Sequence, residues 1–137
     1  MRHRKTVKKL GVKKNHRQAM MRNMVVSLLD HGRITTTHAR AKVLKSLADK
    51  MITLGKNDTV FSRRVAGKTI QNRETLKKLF HQIAPEFADR NGGYTRIIRA
   101  GIRRGDNAAL SMVELVNYEP KVAESDEKEK KSEEKKK

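Results

Sequence analysis

Apolar residues recur every three or four positions over much of this chain, and that spacing predicts four helices. Met21, Met24, Val25, Leu28 and Leu29 stand at i, i+3, i+4, i+7 and i+8, which is one face of an amphipathic helix. Asn15 with Gln18 reads as a cap and capping box at its start, and Gly32 as its end. Leu44, Leu47, Ala48, Met51 and Ile52 repeat the pattern to about Leu54, with Gly55 expected to stop it. Asp58 or Thr59 can cap a short third helix through Val65, closed by Gly67. Asn72 can cap a fourth, in which Leu76, Leu79, Phe80 and Ile83 keep the helical spacing. Pro85 is expected to close that helix, because the residue before a proline avoids helical dihedrals.

Elsewhere the pattern is extended. Arg33-Ile34-Thr35-Thr36-Thr37 is short and β-branched, so it predicts a strand, with one of its threonines capping the next helix. Asn91-Gly92-Gly93 is a turn signal, followed by β-rich runs at Tyr94 to Arg99 and Ala109 to Val116. The segment Ala100 to Ala108 between them makes a long hairpin loop with Arg103 and Arg104 at its tip. Ile97 and Ile98 are adjacent and Leu110 to Val116 is apolar on both faces, so periodicity does not choose the buried side. The order α-β-α-α-α-β-β predicts an α+β fold over residues 15–118, a two-layer domain with its small sheet covered by helices. A domain of that size buries about two-thirds of its unfolded surface, enough for one core without metal.

Charge changes the picture. The chain carries 33 Lys and Arg against 15 Asp and Glu, a formal net charge of +18. From Glu119 onward seven lysines meet seven acids with almost nothing apolar, so residues 119–137 read as a disordered Lys/Glu tail. The whole +18 therefore belongs to residues 1–118. Met1 to Arg22 hold nine Lys and Arg and no acid, and residues 1–14 read as a basic arm for a polyanion. Arg90 to Asp106 adds five arginines, whose planar donor forks match phosphate oxygens. Nucleic acid is the partner such a charge excess favours, ahead of an anionic membrane surface. No run of 18 apolar residues exists and Met1 is followed by charge, so neither a membrane span nor a signal peptide is expected.

Candidate chemistry subtracts more than it adds. Cysteine is absent, which removes disulfides and thiolate ligands. Gly67-Lys68-Thr69 lacks the earlier glycine of a phosphate loop, since position 62 is Ser62. His3, His16, His31, His38 and His81 form no zinc-spaced pair. The eight acids of residues 1–118 are scattered singly, which argues against acid–base or two-metal catalysis. Asp89 and Asp106 are better read as holding loop geometry by pairing with arginine or capping turns. No enzyme, no cofactor, no metal and no small-molecule substrate are expected. Phe61 and Phe80 read as core, and Tyr94 as the one candidate for an exposed ring, although a half-buried strand tyrosine is as consistent with its position. Few rings for stacking favour a grip on phosphate and sugar over readout of loose bases.

The segments MRHRKTVKKLGVKKNHRQAMMRNM, HGRITTTHARAK, ADRNGGYTRIIRAGIRRGDNA and MVELV resemble the L17 family of bacterial large-subunit ribosomal proteins. The likeness runs in register from residue 1 to about 117, while the tail has no counterpart in the family's common core. The resemblance implies a non-enzymatic, cytoplasmic constituent of the large ribosomal subunit that binds 23S ribosomal RNA near the outer side of the nascent-chain exit. It also implies L32 as a protein neighbour. Charge and resemblance together nominate the RNA-contacting residues. In the arm and first helix these are Arg2, His3, Arg4, Lys5, Lys8, Lys9, Lys13, Lys14, His16, Arg17 and Arg22, joined by Arg33 on the first strand. Around the hairpin they are Arg90, Asn91, Gly92, Gly93, Tyr94, Arg96, Arg99, Arg103 and Arg104. The competing readings are a DNA-binding nucleoid module, for which no recognition helix stands out, and an RNA-processing enzyme, for which no clustered acids are found.

Overall fold

The computed structural model describes residues 8–116. The arm residues Arg2, His3, Arg4 and Lys5, as well as Tyr118 and the Lys/Glu tail, lie outside the described residues. The elements follow the expected order: α1 (Lys14–His31), β1 (Arg33–Thr37), α2 (His38–Lys56), α3 (Val60–Gly67), α4 (Arg73–Lys78), α5 (Ala84–Glu86), β2 (Thr95–Ile102) and β3 (Ala109–Leu115). A π-helical stretch, Leu79–Ile83, joins α4 to α5.

The three strands form an antiparallel sheet in the order β1-β3-β2, so the last strand is central. Register decides what periodicity left open. Ile34, Val113 and Ile97 stand side by side, and this row packs into the core with Leu115. Thr35, Met112 and Ile98 form the neighbouring row on the opposite face, where Ile98 is exposed. The helices cover the first face. Val25, Leu28 and Leu29 of α1 meet Leu44, Ala48 and Ile52 of α2, and with Leu79, Ile83 and Val113 they build one core in which each side chain is fully buried.

Buried polar groups are paired, as burial away from water requires. Ser111, fully buried in β3, lies 2.8 Å from Nδ1 of His38 at the start of α2. Thr95 Oγ1 donates to Asp49 Oδ1 at 2.9 Å, which ties the edge strand to the helix layer.

Several local expectations are corrected. Asn15 lies inside α1; Lys13 holds the cap position without a side-chain bond. Thr37 does precede α2, yet its hydroxyl makes no cap bond. Gly32 ends α1 as expected, at φ 73°, its N–H reaching Leu28 O. Thr59 caps α3 by accepting from the Ser62 N–H, and Asn72 caps α4 by accepting from that of Glu74. Gly55 does not stop α2. It is buried within the helix, and a Cβ there would lie 2.9 Å from that of Ala84, so it is a close-approach point between helices. Pro85 does not end the fourth helical region, which continues to Glu86. A proline ring clashes with the carbonyl four residues back, and the π turn ahead of Pro85 widens the helix where that clash would fall. Phe61 is 74% exposed rather than core, while Phe80 is buried.

Candidate nucleic-acid interface

The hairpin differs from its sequence reading in length. β2 continues past Arg99 to Ile102, with Ala100 as the extra residue between the pairs Arg99↔Ser111 and Gly101↔Leu110. The bulge needs φ 104° at residue 101, and glycine adopts that without a steric cost. The turn proper shrinks to residues 103–108. It is closed by Arg103 N–H to Ala108 O at 2.9 Å and Asn107 N–H to Arg103 O at 3.1 Å.

Charge on the hairpin is divided between paired and free groups. Arg103 donates through Nε to Asp106 at 3.0 Å and through Nη2 to its second oxygen. This guanidinium, with the Ala108 N–H, holds the Asp106 carboxyl down at about 2. Arg96 donates to Glu114 across the strands at 2.8 Å. Arg99 and Arg104 are exposed and join no ion pair among the described residues. Arg33 is exposed beside Glu114, in register with Arg96.

The Asn91-Gly92-Gly93 loop is exposed, and Arg90 is spent in part on holding it. Its guanidinium donates to Gly93 O at 3.1 Å, while Lys56 Nζ donates to Arg90 O at 2.7 Å. Of the two readings left open for Tyr94, an exposed ring and a half-buried one, the structure excludes the exposed ring and buries it further than either. It is 3% exposed, packed edge-on against Phe87 with ring centroids 5.4 Å apart. A ring so placed anchors the loop and cannot stack on a base.

At the other end, Lys9 to Val12 turn back on themselves, with Leu10 and Gly11 both at positive φ. Arg17 reaches the carbonyls of Lys9 and Val12 at 3.3 and 3.4 Å, so it tethers the arm to α1. Lys8, Lys9, Lys13, Lys14, His16 and Arg22 stay exposed. The first turn of α1 contains no acid. Cations there meet the positive end of the helix dipole, an arrangement that an added anion relieves.

Sequence reasoning passed over Lys42 and Lys50 on α2. Both are exposed, and with Ser46 they fall on one helical line beside α1. Their eight-residue separation, two steps of four through Ser46, was the available signal. The acids, by contrast, mostly serve the fold. Asp58 binds Arg63, which lies 5.1 Å from the Phe80 ring, and Asp30 accepts from Thr75 and, through its carbonyl, from Lys78. No cluster of three or more potential metal ligands occurs among the described residues, and no described helix is long and apolar enough to cross a membrane.

Comparison with known proteins gives one consistent picture. The family model described as ribosomal protein L17 matches residues 20–116. The chain is similar to the large ribosomal subunit protein bL17 of Syntrophotalea carbinolica, 56% identical over 119 residues, covering 87% of this chain and 77% of that one. It is 53% identical over 123 residues to the bL17 of Desulfotalea psychrophila, covering 90% and 95% respectively. With the bL17 of Fusobacterium nucleatum the identity is 48% over 116 residues, 85% of this chain and the whole of that protein.

Proposed function

This chain belongs to the ribosomal protein L17 family, structural and non-enzymatic constituents of the large ribosomal subunit, and we propose that it holds 23S ribosomal RNA through contacts to phosphate. The observation that carries this reading is the division of charge on the described surface. Acids are largely consumed by internal partners, while Arg99, Arg104 and the lysines around the start of α1 face solvent without one. Positive groups left free on two separate elements fit an extended, sequence-independent grip on a phosphate backbone. Arg104 and Arg99 supply the hairpin's contacts, and Lys9, Lys13, Lys14 and Arg22 supply those of the arm and α1, with residues 1–7 extending the same charge. Arg103, Arg96, Arg90 and Arg17 shape the surfaces that present them. The protein acts in the cytoplasm as part of the subunit, with L32 as the protein neighbour that family resemblance implies.

Sedimentation of tagged protein from a lysate, at low and high salt, tests the reading. Comigration with the large subunit through a high-salt wash supports it. Recovery with chromosomal DNA instead of the large subunit overturns it in favour of the nucleoid module.

A further inference from the structure

Between α1 and α2, bordered by Thr69 after α3, lies a groove of about 500 Å³ with an apolar base and a polar, cationic rim. Met21, Val43 and Leu47 form an apolar base; Met21 is nearly buried, and Leu47 packs against the core. Around them stand Lys8, Arg17, Arg22, Lys42 and Lys50, five cations with no acid among the lining residues. Gln18, Ser46 and Thr69 add hydrogen-bonding groups. A second hollow of about 340 Å³ shares Arg22 and Thr69 with the first, and is lined further by Asn23, Val26, Ser27, Gln71 and Asn72. The two adjoin across Arg22, and neither contains a carboxylate.

We propose that this groove receives an unpaired nucleotide of ribosomal RNA, its base against Met21, Val43 and Leu47 and its flanking phosphates on Arg22, Lys42 and Lys50. The inference rests on the RNA-binding reading above, shares Arg22 with it, and adds the surface of α2 and a different mode of contact. A duplex keeps its bases stacked inside and offers only phosphate ridges, which would engage the cations and leave the apolar base empty. A base turned out of the stack supplies the missing flat, weakly polar surface, with edges for the amide and hydroxyl groups. A pocket of this volume falls within the ordinary range for small-ligand sites, roughly 300–1,000 Å³. The adjoining hollow, rich in amides and hydroxyls, suits the sugar or base of the next residue. Charge complementarity chooses RNA over a protein segment, since five uncompensated cations around one groove favour a ligand with a charge on every residue.

The test uses the full chain with methyl-labelled NMR and five probes: adenosine monophosphate, inorganic phosphate, an acidic helical peptide, and two RNA hairpins identical except for a single-nucleotide bulge. Adenosine monophosphate should shift the methyl resonances of Met21, Val43 and Leu47, and inorganic phosphate should leave them in place. The bulged hairpin should bind about tenfold tighter than the unbulged one, the effect of burying one base face. The double variant Lys42→Ala/Lys50→Ala, altered only at exposed positions, should lose that preference while still binding large-subunit RNA through the arm and hairpin. Equal affinity for the two hairpins with unmoved methyls would overturn the groove assignment alone. Methyl shifts caused by an acidic helical peptide and not by the nucleotide would overturn it in favour of a protein partner. Failure of the unaltered chain to bind either hairpin or large-subunit RNA would overturn the parent reading as well.

Discussion

Arg103 and Asp106 close the tip of the hairpin on themselves, Nε to Oδ1 at 3.0 Å with a second bond from Nη2. Their neighbour Arg104 is exposed and joins no ion pair among the described residues. Two adjacent arginines thus have different work, one fixing the turn and the other facing outward.

Arg104→Ala should therefore weaken binding to large-subunit RNA more than Arg103→Ala. Loss of one phosphate contact lowers the slope of log affinity against log salt by about 1. Filter binding at several salt concentrations reads both effects. Equal losses for the two variants would remove the distinction between a shaping and a contacting arginine. Both proteins should keep the wild-type unfolding midpoint within experimental scatter, because exposed charges contribute little to stability.

Asp106 should titrate near 2, below its ordinary value of 3.8, because the Arg103 guanidinium and then the Ala108 N–H stabilise its ionised form. A carboxylate depressed in the folded state contributes fully above its unfolded value and loses that contribution as pH falls through the folded one. The Arg103–Asp106 pair is thus indifferent to pH near neutrality and weakens only as pH falls below 3.8 towards the folded value. Carbon NMR of the carboxyl, followed with the Arg103 Nε–H resonance, measures this. A midpoint at or above 3.8 would contradict the pair.

Gly55→Ala should destabilise the protein, although alanine is the better helix former by roughly 0.5–1 kcal/mol. The added Cβ would meet that of Ala84 at 2.9 Å and Leu79 Cγ at 3.4 Å, and overpacking of this kind costs about 1–3 kcal/mol. A net loss of about 1 kcal/mol is expected from urea denaturation. In an Ala84→Gly background the same substitution should turn neutral or stabilising. A destabilisation unchanged by Ala84→Gly would point away from this contact.

Asp49→Ala should cost about 1–3 kcal/mol, because it leaves the Thr95 hydroxyl, 2% exposed, without its acceptor. Thr95→Val should cost less, since Asp49 is only half-buried and water can take the place of the hydroxyl. Urea midpoints rank the two, and the reverse order would show that the bond matters more to the carboxylate than to the threonine.

The order of elements, the helix faces and the basic character of the surface were legible in the sequence, because each depends on local quantities. Val25, Leu28 and Leu29 are buried together for the reason that their spacing repeats the helical period, and the period is written along the chain. The caps at Thr59 and Asn72 are equally local. Charge is additive, so the excess on residues 1–118 could be counted without a fold. What the sequence could not order was anything settled by a partner distant in the chain. Gly55 resembles a helix stop until Ala84 is placed against it, and Pro85 resembles one until the π turn carries the helix past it. Tyr94 follows a turn but is buried by Phe87, whereas Phe61 sits among helix formers and is left outside. The candidate arginines and lysines were visible as a set, while their division into shaping and contacting groups depended on where Asp106, Glu114 and the Gly93 carbonyl came to lie. The helical period determined which side of each helix turns inward; only the packing of α1, α2 and the sheet determined which cations remain free, because an ion pair needs two charges brought together and sequence spacing does not measure that distance.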